Sequence, residues 1–175
     1  MSIINILNDN SLTSIEKRTR IENSLRTKDV LIKEIELTEK SLDDKQLAIV
    51  LEAMELVTRK NPEISDKKWL EFNQKFLSST SNNLKRESAR VIGNIAHLFP
   101  NNLEPAIKEL LKNLKDPGTV IRWSSAYAFA SIITIPNHAN SSLYQTISRI
   151  CEQEENSGVK NLLLKGLKRA SRLKK

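Results

Sequence analysis

Cysteine is nearly absent from this chain of 175 residues. The single one, Cys151, cannot form an internal disulfide, and its place beside Ile147 and Ile150 predicts a buried thiol rather than a reactive one. Four glycines and five prolines, gathered at expected helix ends, leave little room for long loops. No apolar run is long enough to span a bilayer, and the N-terminus MSIINILNDN lacks the basic start and long apolar stretch of a signal peptide. A cytoplasmic location and no membrane span are therefore expected. The two histidines, His97 and His138, have no Cys, Asp or Glu around them at ligand spacing, so neither a zinc site nor a nucleophile with its base has support. A glycine-rich phosphate loop and a nucleophile elbow are missing too. No catalytic residue, metal or cofactor is expected.

What is present suits one soluble helical domain with a sizeable core: 39% of the residues are apolar and 28% charged. The organising stretch is TVIRWSSAYAFASII, Thr119 to Ile133. As a helix it is expected to turn Val120, Ser125, Ala126, Ala128, Phe129, Ala130 and Ile132 into a core and to leave Trp123, Ser124, Tyr127 and Ser131 outside. Small residues beside larger apolar ones let another helix approach closely, as in a helix held between neighbours.

The pattern recurs. With Val120 as position 1, Arg122 takes position 3 and the other core residues take 6, 7, 9, 10, 11 and 13. A shift back of 37 puts Ser88, Ala89, Val91, Ile92, Gly93 and Ile95 in those places, with Lys85 under Arg122. A shift forward of 38 puts Leu163, Leu164, Gly166, Leu167 and Ala170 there, with Lys160 under Arg122 and Lys168 as a polar exception. A shift back of 78 gives Leu47, Ala48, Val50, Leu51 and Met54, with Asp44 at the basic place and Glu52 at the small one.

Each copy follows another helical segment, expected at about Thr27 to Lys40, Asp66 to Thr80, Asn102 to Lys115 and Ser141 to Glu155. In the third of these Leu103, Ile107, Leu110, Leu111 and Leu114 form a stripe of helical period, and the break Asp116-Pro117-Gly118 after it is short enough to force an antiparallel hairpin. The expected units are 27–60, 66–99, 102–135 and 141–173. Residues 1–26 do not fit the repeat. Ile3, Ile4 and Leu7 predict one helical turn and Leu12, Ile15, Ile21 and Leu25 another segment, with Thr13 or Ser14 as N-cap. Such a segment would cover the first apolar face as a helical cap, or reach out as a partner-binding arm.

KDPGTVIRWSSAYAFASI resembles a HEAT repeat unit, with Asp116 before the turn, Arg122 early in the second helix and the small-apolar cluster behind it. The likeness extends, with falling quality, over about residues 27–173. It implies an all-α fold, an α-solenoid of about four HEAT-like antiparallel helix pairs, which binds macromolecules, usually proteins and sometimes nucleic acid. In that family the turn Asp pairs with the basic residue along the stack. Here only Asp116 and Arg122 fill both places, and Ser79 stands where the second unit would need its acid, so an incomplete ladder is expected.

Charge is unevenly distributed. Lys160, Lys165, Lys168, Arg169, Arg172, Lys174 and Lys175 have no acidic residue among them, and the remaining 21 of the 28 basic residues balance the 21 acidic ones, so the whole +7 sits on the last helix and tail. This is either an electrostatic footprint for phosphate or an acidic protein surface, or a solvated end whose cations complement the helix dipole.

In a HEAT-like stack the second helices line the concave side, and the places not given to the core carry the candidate binding residues. These are Arg86 and Arg90 in the second unit, Trp123 and Tyr127 in the third, and Lys165 and Arg169 in the fourth, each pair one turn apart on one face. An aromatic pair between two basic pairs suits a protein or peptide with acidic groups and an apolar anchor. It also suits single-stranded nucleic acid, with bases stacked on the rings and phosphates on the cations. Alternatively, Trp123 packs back over its neighbours and fills a gap. A third functional reading comes from the resemblance alone: some alkylpurine DNA glycosylases are HEAT-like and use tryptophans with an Asp on the concave face, whereas the only carboxylate in this row is Glu87. The expected role is a non-catalytic binding or scaffold module for a protein or peptide, with nucleic acid as the rival partner. Trp69, beside Leu70 and Phe72, is expected in the core.

Overall fold

The computed structural model describes residues 2–28 and 30–173; the expected basic tail residues Lys174 and Lys175 lie outside them. Among the described residues there are helices and no strands. Helices α1 (Ile3–Asn8) and α2 (Ser14–Thr27) come first, then α3 (Ile32–Thr38), α4 (Asp44–Lys60) and α5 (Lys67–Gln74). They are followed by α6 (Asn82–Ile95), α7 (Glu104–Asn113), α8 (Thr119–Ile132) and the single turn α9 (Pro136–Ala139). Helices α10 (Ser142–Gln153) and α11 (Ser157–Ser171) complete the order. None of them is long and apolar enough to cross a membrane.

Short polar signals set the helix starts. Thr13 accepts the Glu16 N–H at 3.3 Å while the Glu16 carboxylate accepts the Thr13 N–H at 2.7 Å, which satisfies two of the free donors at the start of α2. Asp43 and Gln46 do the same for α4, and Asp66, Ser141 and Asn156 cap α5, α10 and α11 with single side chains. Helix α2 ends on Lys28, whose φ of 61° is left-handed and turns the chain away from the helix axis.

Five helices, α2, α4, α6, α8 and α11, lie side by side in chain order, each packed on the one before. Helices α1, α5, α7 and α10 lie against α2, α6, α8 and α11 respectively, and α3 packs mainly on α5. One apolar cluster runs through the whole arrangement. The row closes tightly at its small residues. A Cβ placed on Gly93 would sit 2.9 Å from the Ala128 Cα, and one on Gly166 would sit 2.7 Å from the Ala130 Cα, so backbones meet where any larger side chain would hold them apart.

Packing on α8 differs from expectation at three places. Val120 is 55% exposed and Ile121 is buried instead. Ser124, expected outside, is fully buried and donates its hydroxyl to the Ile121 carbonyl at 3.0 Å. The reason is that α6, α7 and α11 all pack on α8, so the exposed arc narrows to a strip. Ser125, Ala126, Ala128, Phe129, Ala130 and Ile132 are buried as expected, as is Trp69. In α4 the repeat runs three residues further along than the 78-residue shift. Val50, Leu51, Ala53, Met54, Glu55 and Val57 fill the core places, while Ala48 and Glu52 are only half-buried. Glu55 thus occupies the place held by Gly93 in α6 and Ala130 in α8.

In the N-terminal segment Ile3, Leu7, Ile21 and Leu25 are buried, whereas Ile15 is 65% exposed. It sits in the first turn of α2, away from the contact with α4. Cys151 is buried, and that burial raises its thiol above the ordinary value.

The pairing of turn acids with basic residues is more complete than expected. Lys85 Nζ lies 3.2 Å from Asp116 Oδ2, and Arg122 Nε lies 3.0 Å from Glu154 Oε2. Lys85 of α6 and Arg122 of α8 each pair with the acid before the following helix of the row, whereas Lys160 of α11 donates to the Glu152 carbonyl at 3.4 Å. Glu154 takes the place of an Asp and accepts the Asn156 N–H at 2.9 Å, as Asp116 accepts that of Gly118 at 2.8 Å. Burial alone would raise the Glu154 carboxyl, but hydrogen bonds from Arg122 and from the Asn156 backbone hold it below the usual range.

Candidate binding face

The six expected site residues lie on three consecutive helices of the row, Arg86 and Arg90 on α6, Trp123 and Tyr127 on α8, Lys165 and Arg169 on α11. The two aromatic rings stack, with centroids 5.8 Å apart and planes inclined by 22°. Both are half-buried, because the helices on either side of α8 cover the flanks of each ring and leave an edge free. Tyr127 donates its hydroxyl to Asn94 Oδ1 at 2.6 Å, and the Asn94 amide donates to Thr58 Oγ1 at 3.1 Å. A polar chain thereby crosses from α8 through α6 to α4. Burial raises the Tyr127 phenol, with the Glu55 charge adding to the effect, so it remains a hydrogen-bond donor throughout the neutral range.

The two basic pairs differ from each other. Arg86 Nε lies 2.6 Å from Glu87 Oε1, and Arg90 lies 2.9 Å from Glu87 Oε2 and 2.9 Å from Glu55 Oε1. Glu87 and Glu55 are only 2% and 1% exposed. Arg86 and Arg90 are therefore not the free cations that the row of side chains implied. They cover two carboxylates that burial would otherwise make costly. Arg59 adds a longer contact of 3.7 Å to Glu55. Neither Glu55 oxygen is aligned for a hydrogen bond, and burial raises its carboxyl, with the arginines opposing and Glu87 reinforcing the shift.

On the other flank Lys165 is exposed and, among the described residues, has no ion-pair or hydrogen-bond partner. Arg169 is exposed as well and donates one bond to the Ala130 carbonyl at 2.7 Å. The face is thus charge-balanced along α6, aromatic at α8 and cationic along α11. Sequence reasoning missed Glu55 because a glutamate in an apolar place reads as a fault in register. Its clue was Arg90, which needed a second acid, and Asn94, which sits where a repeat neighbour must meet it.

His97 pairs at 3.8 Å with Glu63 in an exposed contact, and His138 has a buried ring nitrogen without a hydrogen-bond partner. Among the described residues no three His, Cys, Asp or Glu side chains lie close enough to hold a metal ion. Compared with known proteins, the chain is matched by no family model, no curated protein and no solved structure.

Proposed function

We propose that this chain is a HEAT-like α-solenoid that works as a binding module for a protein or peptide partner, engaged along α6, α8 and α11. The observation that carries the reading is the stacked, half-buried Trp123–Tyr127 pair at the middle of the row. A rigid aromatic surface of this kind supplies contact area at little entropic cost. The asymmetry beside it gives the ligand a direction: its apolar anchor meets Trp123 and its acidic groups extend toward Lys165 and Arg169, since the cations of α6 are already engaged. Nothing in this reading requires catalysis.

Selection from a displayed random peptide library, followed by fluorescence anisotropy of the selected peptides, tests it. Peptides that are acidic on one side of an aromatic or long apolar residue are expected, and Trp123→Ala should weaken them by about tenfold or more. A random single-stranded oligonucleotide is the rival probe. Tight oligonucleotide binding with an affinity falling steeply with salt, in the absence of selectable peptides, would replace the peptide reading by a nucleic-acid one.

A further inference from the structure

A concave feature lies apart from the six site residues, toward the N-terminal helices. A pocket of about 350 Å³ opens between the end of α2, the start of α3 and the start of α5, at the lower end of the size range of small-molecule sites. Leu25, Val30, Ile32 and Trp69 are all buried there, and the exposed Leu31 stands among the lining residues. Three lysines complete the lining, Lys28, Lys33 and Lys68. All three are exposed and, among the described residues, none has an ion-pair or hydrogen-bond partner for its ammonium group. By contrast Lys60, Lys67, Lys75, Lys85 and Lys112 each sit within 3.2 Å of a carboxylate. Among the described residues the one acid in the lining, Asp66, is turned to the Lys68 and Trp69 backbone N–H groups at 3.0 and 3.3 Å as the cap of α5.

We propose that this pocket binds a small single-chain amphiphilic anion, a medium-length alkyl chain lying on the apolar floor with its charged head among the three lysines. An apolar floor under a rim whose described residues carry three lysines against one acid matches one anionic head on one apolar chain. Lysines act as point charges that serve carboxylate and phosphate heads alike, so the rim selects an anion and a fatty carboxylate is its simplest probe. Lys28 is held at the rim by its left-handed backbone at the end of α2. The volume has room for a single chain and not for a two-chain lipid.

The sequence carries its own probe. It has two tryptophans; in a Trp123→Phe variant only Trp69 remains, at the floor of the pocket. Titration with sodium decanoate should change Trp69 emission saturably below about 1 mM, and should raise the melting temperature of the unaltered chain. Shortening to octanoate should weaken binding by about tenfold, decylammonium should bind far more weakly than decanoate, and added salt should weaken decanoate. Lys33→Ala with Lys68→Ala should weaken decanoate by about tenfold or more and leave the melting temperature of the free protein in place. The proposal is overturned if decanoate gives no saturable change and no thermal shift, if decylammonium binds as well as decanoate, or if the double lysine variant keeps full affinity. Because Trp123 is absent from the probe variant, failure of the peptide reading leaves this result unaffected.

Discussion

On both sides of Trp123 a helix presents two basic residues one turn apart, and the two helices use them differently. On α6, Arg86 and Arg90 sit over Glu87 and Glu55, carboxylates that are nearly inaccessible to water. On α11, among the described residues, Lys165 has no carboxylate partner and Arg169 donates to the Ala130 backbone carbonyl. The side chains are alike in kind and spacing, and the layer beneath them decides their role. Cations above buried acids neutralise the interior and hold helices together, while cations without such acids remain available to a partner.

Removing the acids breaks the α6 side of this contrast most severely. Glu87→Ala leaves Arg86 and Arg90 without their shared partner and should cost about 2 to 4 kcal/mol, somewhat less than a fully buried pair because both arginines keep contact with water. Urea unfolding measures it, and a loss under about 1 kcal/mol would mean that the arginines do not depend on Glu87. Next in size is a change that affects the two junctions of α8 alike in kind. Gly93→Ala brings a Cβ to within 2.9 Å of the Ala128 backbone and should cost about 1 to 3 kcal/mol despite the better helix propensity of alanine. Gly166→Ala should cost less, because among the described residues α11 has a row neighbour on one side only, α8, and can shift away from it. Thermal melts of the two variants that give the opposite order would show that α11 is held more firmly than its packing indicates.

Acid and base dependence sharpens the comparison further. Glu55 is raised by burial, so the folded chain takes up its proton at a higher pH than the unfolded chain does. The stability this contributes is complete below the ordinary glutamate range and is lost as pH rises through the raised folded value. Glu154 is depressed, so its contribution is present above the ordinary range and lost as pH falls through its folded value. Glu55→Gln should therefore abolish part of the decline in stability above about pH 4.5 and leave the acid side unchanged. Unfolding midpoints across pH that fall equally in both proteins would remove Glu55 as the source. The smallest expected effect is that of Lys165→Glu, which should move stability by no more than about 0.5 kcal/mol while reversing the charge offered to an acidic partner. A large drop in melting temperature would place Lys165 among the structural cations instead.

Helix positions were legible because the small-apolar pattern repeats. The run from Ser125 to Ile132 and its counterparts in α6 showed their buried sides through spacing alone, while the N-cap of α2, open in the sequence between Thr13 and Ser14, is Thr13 with Glu16 as its reciprocal partner. Register failed where composition misled. Val120 looks more buried than it is because the packed side of the first turn of α8 is taken by its neighbour Ile121, and Ser124 looks exposed because a serine carries no signal for a hydroxyl bonded to its own helix. Glu55 hid the true register of α4, since a charged residue in a core place is read as a break in the pattern. At the binding face the aromatic pair could be found from the sequence. The state of the arginines could not, because Glu87 on the same helix turns out to be buried and Glu55 reaches Arg90 from α4, a separate helix of the row.

The side-by-side order of the row bears on how the chain comes together. Its cross-helix bonds join residues of modest separation, from 31 residues for Lys85 to Asp116 up to 39 for Ala130 to Arg169, and each helix of the row packs only on its immediate neighbours there. A junction can therefore close as soon as its second helix has left the ribosome, without waiting for the rest of the chain. The α6 to α8 junction, with its glycine contact and its tyrosine to asparagine bond, is complete once Ile132 has emerged. The cationic helix α11 is then added to a platform already in place, so the cations open to a partner join the face after its aromatic centre has formed.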